Sequence, residues 1–251
     1  MRRSFHILCN AVWIAALLWA AAPHVVAADY WVPFSSPGVV TNNDCGFVAA
    51  AEGGILVRRS FHSDATDGTR AHVADRLYSG DGLSVPLNGR LEWVSGNNIV
   101  VVLGSDARAT LGGLRTFTDA GGNKVLRLDL KLIQGECRVQ VRLNELRPEA
   151  VLVSLGDEIE VLVQRGDVEL AAGGSWRVAS LSGSVQARIK RGTVTGAPFT
   201  IGEGTAVDGT GEKGLDAQEL ASAQRRLPFS FELVSAALPP LPAMSRMLEA
   251  P

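Results

Sequence analysis

The chain has 251 residues, 46% of them hydrophobic and 20% charged, with 24 Lys and Arg against 26 Asp and Glu. This composition excludes a wholly disordered chain. So mild a charge balance argues against nucleic acid or an anionic membrane as the main partner.

The N-terminus carries an export pattern. Arg2 and Arg3 precede an unbroken apolar run from Ala11 to Ala22, Pro23 and His24 break it, and Val25-Val26-Ala27-Ala28 offers small residues for cleavage. A run this short falls below the ~20 residues of a membrane span. Residues 1–28 are therefore expected to be a signal peptide. The rival reading joins Ile7 to Ala28 into an uncleaved anchor, the one case in which the protein would touch a membrane. Export removes Cys9 and leaves Cys45 and Cys137. In an oxidising compartment these two are expected to form a disulfide. The alternative is two free, buried thiols, because sequence separation does not show whether the Cα atoms approach.

Residues 29–44 are rich in Pro, Ser and Asn and read as an irregular leader. Strand patterns follow to about residue 208. Apolar stretches flank Glu52-Gly53-Gly54, and short strands are expected at Leu83 and over 90–94 and 98–103. The turn Ser95-Gly96-Asn97-Asn98 suits a hairpin between the last two. Val125 to Leu132 alternates strictly, which places Arg127, Asp129 and Lys131 on a solvated face. Cys137 to Leu143 alternates as well, and Ile133-Gln134-Gly135-Glu136 reads as the turn between them. Further strands are expected at 149–154, 158–164, 167–171, 175–181, 184–190 and 193–201. A polar-Gly-x-apolar pattern recurs at Gly53, Gly135, Gly166, Gly183 and Gly192 with irregular spacing, which does not make a strict solenoid. The fold class is all-β: an antiparallel β-sandwich or a loosely wound β-roll with tight Gly turns. One short helix is expected over 217–226, opened by the capping box Asp216-x-x-Glu219 and closed by Arg225-Arg226 and Pro228. Phe229 to Leu233 suits a short strand, and a Pro-rich tail begins at Leu238.

Three stretches resemble the FecR-type periplasmic domain. Glu52-Gly53-Gly54-Ile55-Leu56-Val57-Arg58 is similar to its opening strand. Gly80-Asp81-Gly82-Leu83, followed by Asn88-Gly89-Arg90-Leu91-Glu92-Trp93, resembles its "G-D-x-L…G-R-x-E-L" core. Gly96 to Ala107, and the hairpin around Gln134-Gly135, fit the segments that follow. The resemblance implies a β domain over 45–208, clearest over 48–143, with residues 209–251 as a C-terminal appendage. Members with a cytoplasmic sigma-regulatory segment carry it before a membrane helix. Only about six residues precede the apolar segment that starts at Ile7, so the resemblance extends to the extracytoplasmic domain and not to that role.

Candidate chemistry is sparse. Metal-ligand spacings, a nucleophile elbow, a P-loop and a dinucleotide fingerprint are absent from the sequence, and no cofactor is expected. Asp64-Ala-Thr-Asp67-Gly68 reads as a polar turn rather than a calcium loop. Gly80-Asp81 is expected to form a turn in which Asp caps backbone amides. Arg90 and Glu92 share a strand face with Trp93 opposite, so they read as a solvated ion-paired surface; the sharper alternative is a polar ligand surface. Gly53, Gly80, Asp81, Gly89, Arg90, Glu92 and Gly135 thus read as structural. Arg165-Gly166-Asp167 reads as a turn, not an adhesion signal. The function expected is a non-catalytic, exported module of the periplasm or cell envelope of a bacterium that binds a protein partner. A glycan- or peptidoglycan-binding module would show Trp31 or Trp176 exposed in a groove, and a hydrolase would show a pocket with two close carboxylates.

Overall fold

The structure is a computed structural model that describes residues 31, 40–60, 68–118, 122–143, 148–191 and 194–230. The signal segment, the Asp64–Asp67 part of the polar loop and the Pro-rich tail lie outside the described residues.

The chain enters as β1 (Val40–Asn42), β2 (Asp44–Glu52) and β3 (Leu56–Arg58), then β4 (Thr69–Arg70), β5 (Arg76–Tyr78) and β6 (Gly82–Ser84). A hairpin of β7 (Arg90–Ser95) and β8 (Ile99–Leu103) leads into β9 (Arg108–Thr118) and the long β10 (Lys124–Val141). Next come β11 (Glu149–Leu155), β12 (Ile159–Val163), β13 (Gly166–Ala172), β14 (Arg177–Gly183) and β15 (Val185–Arg191). The series ends with β16 (Val194–Thr195), β17 (Phe199–Ile201), β18 (Thr205–Asp208), β19 (Gly211–Gly214) and one helix, α1 (Ala217–Arg226). The protein is all-β with one short C-terminal helix. The leader expected to be irregular contains β1 and the start of β2, and the β18–β19 hairpin carries the sheet past residue 208.

The strands form two open sheets around one core. The first runs β4-β3-β6-β9-β10-β11-β12-β15-β17, with β1 alongside β9. The second runs β5-β2-β7-β8-β10-β13-β14-β18-β19. Strand β10 belongs to both: its first half pairs with β9 and β11, and Gly135 to Val141 pair with β8 and β13. The turn expected at 133–136 is therefore a bend within one continuous strand.

The alternation changes phase at that bend. Leu128, Leu130 and Leu132 point into the core before it, and Cys137, Val139 and Val141 after it. Cys137 lies five positions after Leu132, an odd offset, so the strand must slip by one position to keep both inward. Register shifts around Leu132–Gln134 take up that slip. Gly135 has φ +85°, and a Cβ there would lie 2.6 Å from the Ala107 Cα, so only glycine fits. Because β10 crosses sheets before the chain returns, β11 lies parallel to its first half. This is a wound turn within an otherwise antiparallel sandwich.

Helix α1 forms where its caps predict. The Asp216 carboxylate accepts from the backbone amides of Gln218 and Glu219, both at 2.8 Å, and the Glu219 side chain accepts from the Asp216 amide at 3.0 Å. Arg138 of β10 holds the other end. It donates to the carbonyls of Gln224 (2.9 Å) and Leu227 (2.8 Å), completing the dipole's negative end. It also pairs with buried Asp167 at 2.5 Å and lies under the Phe229 ring. Phe229 is thus part of a cap rather than a strand.

Two outcomes follow. Gly135→Ala is expected to cost about 3 kcal/mol or more, since it combines steric overlap with a strained φ, whereas Gly156→Ala, with nothing within 4 Å of its Cβ, costs about 1 kcal/mol. Urea midpoints for the two variants measure the difference. Arg138→Met leaves Asp167 buried without its cation, at about 3 kcal/mol, and amide exchange should rise over 217–227 before global unfolding.

Candidate functional site

The two outer faces are treated differently by the chain itself. On the second sheet, α1 and residues 227–230 cover the surface: Ala223 packs with Ala179, Leu181 and Ala206, and Phe229 packs near Val94 and Val100. This overturns the solvated reading of Arg90 and Glu92. Glu92 is fully buried, ion-paired with Arg90, and accepts from the Ser230 amide at 2.9 Å. Arg90 also donates to the Pro228 carbonyl and to the Ser230 hydroxyl. The pair clamps the segment after α1 onto the sheet. Asp167, the acid of Arg165-Gly166-Asp167, is likewise buried under Arg138, so that turn presents no adhesion carboxylate.

Asp81, Gly53, Gly89 and Trp93 also hold the fold together. Asp81 is buried, accepts from the Tyr78 amide (2.8 Å) and pairs with Arg59 at 2.6 Å, which closes the Gly80 turn. Gly53 and Gly89 meet backbone to backbone, where a Cβ on Gly53 would lie 2.7 Å from the Gly89 Cα. Trp93 is in the core, as its strand parity implies.

On the first sheet, outward residues form rows across the strands. Arg58, Gly82, Thr110, Lys131, Ser154, Glu160 and Arg188 face one another in register. At the β10–β15 end, Trp31 closes over this face. Its indole donates to Gln186 at 3.3 Å, its ring lies 4.3 Å from the Arg188 guanidinium, and it packs on Leu152 and Leu162. Arg127, expected in solvent, is therefore 2% exposed and pairs with half-buried Asp129 at 2.7 Å.

Beneath Trp31 lies a cavity of about 310 Å³ lined by both Asp129 and Glu160. Burial raises the Asp129 carboxyl, while Arg127 and Arg115 oppose the rise. Burial also raises Glu160, but donors from Lys190 and Arg188 outweigh it and the carboxyl ends lowered. Two acids with pKa values moved apart are the pattern that acid–base catalysis uses. Here, however, every oxygen of both is engaged. Arg127 and Arg115 hold Asp129, and Arg188 and Lys190 hold Glu160. Such saturated carboxylates serve as counter-ions for the buried arginines. Trp31 is buried and Trp176 is half-buried against the core, so neither provides the exposed stacking platform of the glycan reading.

The β3-β6-β9 end of this face has no such cover among the described residues. A trough of about 350 Å³ lies there. Its floor is small: Gly68, Gly82, Ser84 and Thr110. Leu56 (45% exposed) and Ile133 (49% exposed) stand on its walls with Arg58 and Arg108. Ile133 is outward because it keeps the alternation of Leu128, Leu130 and Leu132, ahead of the phase change at the β10 bend. The apolar-polar parity of Leu56-Val57-Arg58 was a signal for the opposite wall.

The expected disulfide is absent: Cys45 and Cys137 are free and buried. In the second sheet they are separated by three strand steps, from β2 through β7 and β8 to β10. At ~4.8 Å per step the lateral offset alone is about 14 Å, and Cys137 is in register with Ala51 rather than Cys45, well beyond disulfide reach. Burial, then the Asp81 carboxylate, pushes the Cys45 thiol up to about 12. Burial alone raises Cys137.

No family model and no curated protein matches the chain. Two solved structures, both described as a "putative anti-sigma factor" from Parabacteroides distasonis, align over 56% of this chain. One has 17% identity, a TM-score of 0.39 and 62% of its length covered; the other has 16%, 0.37 and 63%. The chain thus spans under two thirds of each.

Both thiols are expected to resist iodoacetamide in the native protein at pH 8 and to be alkylated fully in denaturant without reductant. Mass spectrometry on peptides containing Cys45 and Cys137 reads the outcome; a Cys45–Cys137 linked peptide would contradict the structure.

Proposed function

We propose that this protein is a non-catalytic binding module of the bacterial cell envelope that engages a protein partner through the β3-β6-β9 face. The observation that carries the reading is the contrast between faces. Chain segments of this protein cover the second sheet and the β10–β15 part of the first, while among the described residues none covers the trough with Leu56 and Ile133. Apolar side chains gathered in a concavity, rather than scattered, mark interaction surfaces. The non-catalytic reading is supported by the engagement of the buried acids, since Asp81, Glu92, Asp129, Glu160 and Asp167 each face a cation. Export is supported by the Arg2-Arg3, apolar-run and Ala27-Ala28 pattern, and a FecR-like extracytoplasmic domain by the motifs around Gly80-Asp81 and Gly89-Arg90. Among the described residues, no helix is long and apolar enough to cross a membrane.

Photo-crosslinking in intact cells tests the surface. A benzophenone side chain at position 56 or 133 should yield one discrete protein adduct, and one at exposed Val194 should yield none. Ser84→Trp, which fills the trough floor, should abolish the adduct. Equal adducts from position 194, or retention on peptidoglycan without any adduct, would overturn the proposal.

A further inference from the structure

We infer that the trough takes an extended acidic segment of its protein partner, with one apolar side chain seated between Leu56 and Ile133. This rests on the surface assigned above and adds the chemistry of the occupant. The charge is one-sided. Arg58 and Arg108 line the trough, Arg70 stands directly across from Leu56, and no Asp or Glu is among the described lining residues. The contrast with the rest of the protein is informative. Arg59, Arg76, Arg90, Arg115, Arg127, Arg138, Arg177, Arg188 and Arg226 pair with carboxylates, whereas Arg58, Arg70 and Arg108, like Arg142, Arg165 and Arg225 elsewhere, make no ion pair with a described residue; at the trough two of these unpaired arginines line one concavity. The protein as a whole is slightly acidic, so this local positive field is a property of the face, not of the composition.

Shape selects among anionic partners. The trough crosses β3, β6, β9 and β10, three strand steps or about 14 Å, which spans about four extended residues. Gly82 and Ser84 lower its floor, so a backbone can approach while its side chains reach Leu56, Ile133 and the arginines. A bilayer is flat and would meet the walls without entering the concavity.

Fluorescence anisotropy with the full chain tests the inference. The probes are a fluorescein-labelled peptide Glu-Leu-Asp-Val-Glu-Leu, its Gln-Leu-Asn-Val-Gln-Leu counterpart, and vesicles with phosphatidylglycerol. The acidic peptide should bind at least about tenfold tighter than the amide peptide, with the preference falling as salt rises. Arg58→Gln with Arg108→Gln should remove the preference, and Arg165→Gln, remote from the trough, should leave it intact. Thermal melts confirm that each variant is folded. Equal binding of both peptides would overturn the acidic specificity while leaving the surface in place. Binding to vesicles alone, or no peptide binding while the position-56 adduct persists, would also overturn it. Loss of that adduct as well would indicate failure of the surface assignment itself.

Discussion

The structure depends on one strand serving two sheets. β10 must present leucines inward in the first sheet and Cys137, Val139 and Val141 inward in the second, and simple alternation does not allow both. The one-residue slip before Gly135 reconciles them. It is possible only because the backbone there takes a positive φ and because no Cβ intrudes on Ala107. The crossing sends the chain back parallel to its own first half, so the core and the winding share a single local cause, while Ile133 stays outward on the alternation of the first half.

A second consequence concerns charge. Both halves of β10 carry ionisable residues on the outer face: Arg127, Asp129 and Lys131 on one sheet, Arg138 on the other. Left in water, such pairs contribute little. Here the chain lays Trp31 across one set and α1 with Phe229 across the other, so the ions lose water and need complete pairing. The clamps Arg138–Asp167 and Arg90–Glu92 bind backbone carbonyls or amides of the covering segment. Their energetic weight lies as much in positioning that segment as in the charge pair.

The same demand reaches the acids under the Trp31 cavity, where each oxygen of Asp129 and Glu160 already accepts from a cation. The surface suited to recognition is instead the part of the first sheet that no described segment of the chain covers, where small residues on three strands leave a floor and arginines without described counter-ions stand at the rim.

The sequence by itself determined the class and the local elements. Period-two alternation marked β7 and both halves of β10, a continuous apolar run marked β8, and the Asp216/Glu219 box with Arg225-Arg226 marked α1 to the residue, because these signals involve only neighbours along the chain. Asp81 as a turn carboxylate and Trp93 as core were legible for the same reason. What surrounds an outer face is not local. Alternation puts Arg127, Arg90 and Glu92 outside the core, but whether outside means water depends on where a distant segment lands, and only the tertiary structure placed Trp31 and Ser230 over them. The same holds for the cysteines, whose 92-residue separation says nothing of the three strand steps between them, and for the trough, whose walls come from β3 and β10 and meet only because β6 and β9 lie between.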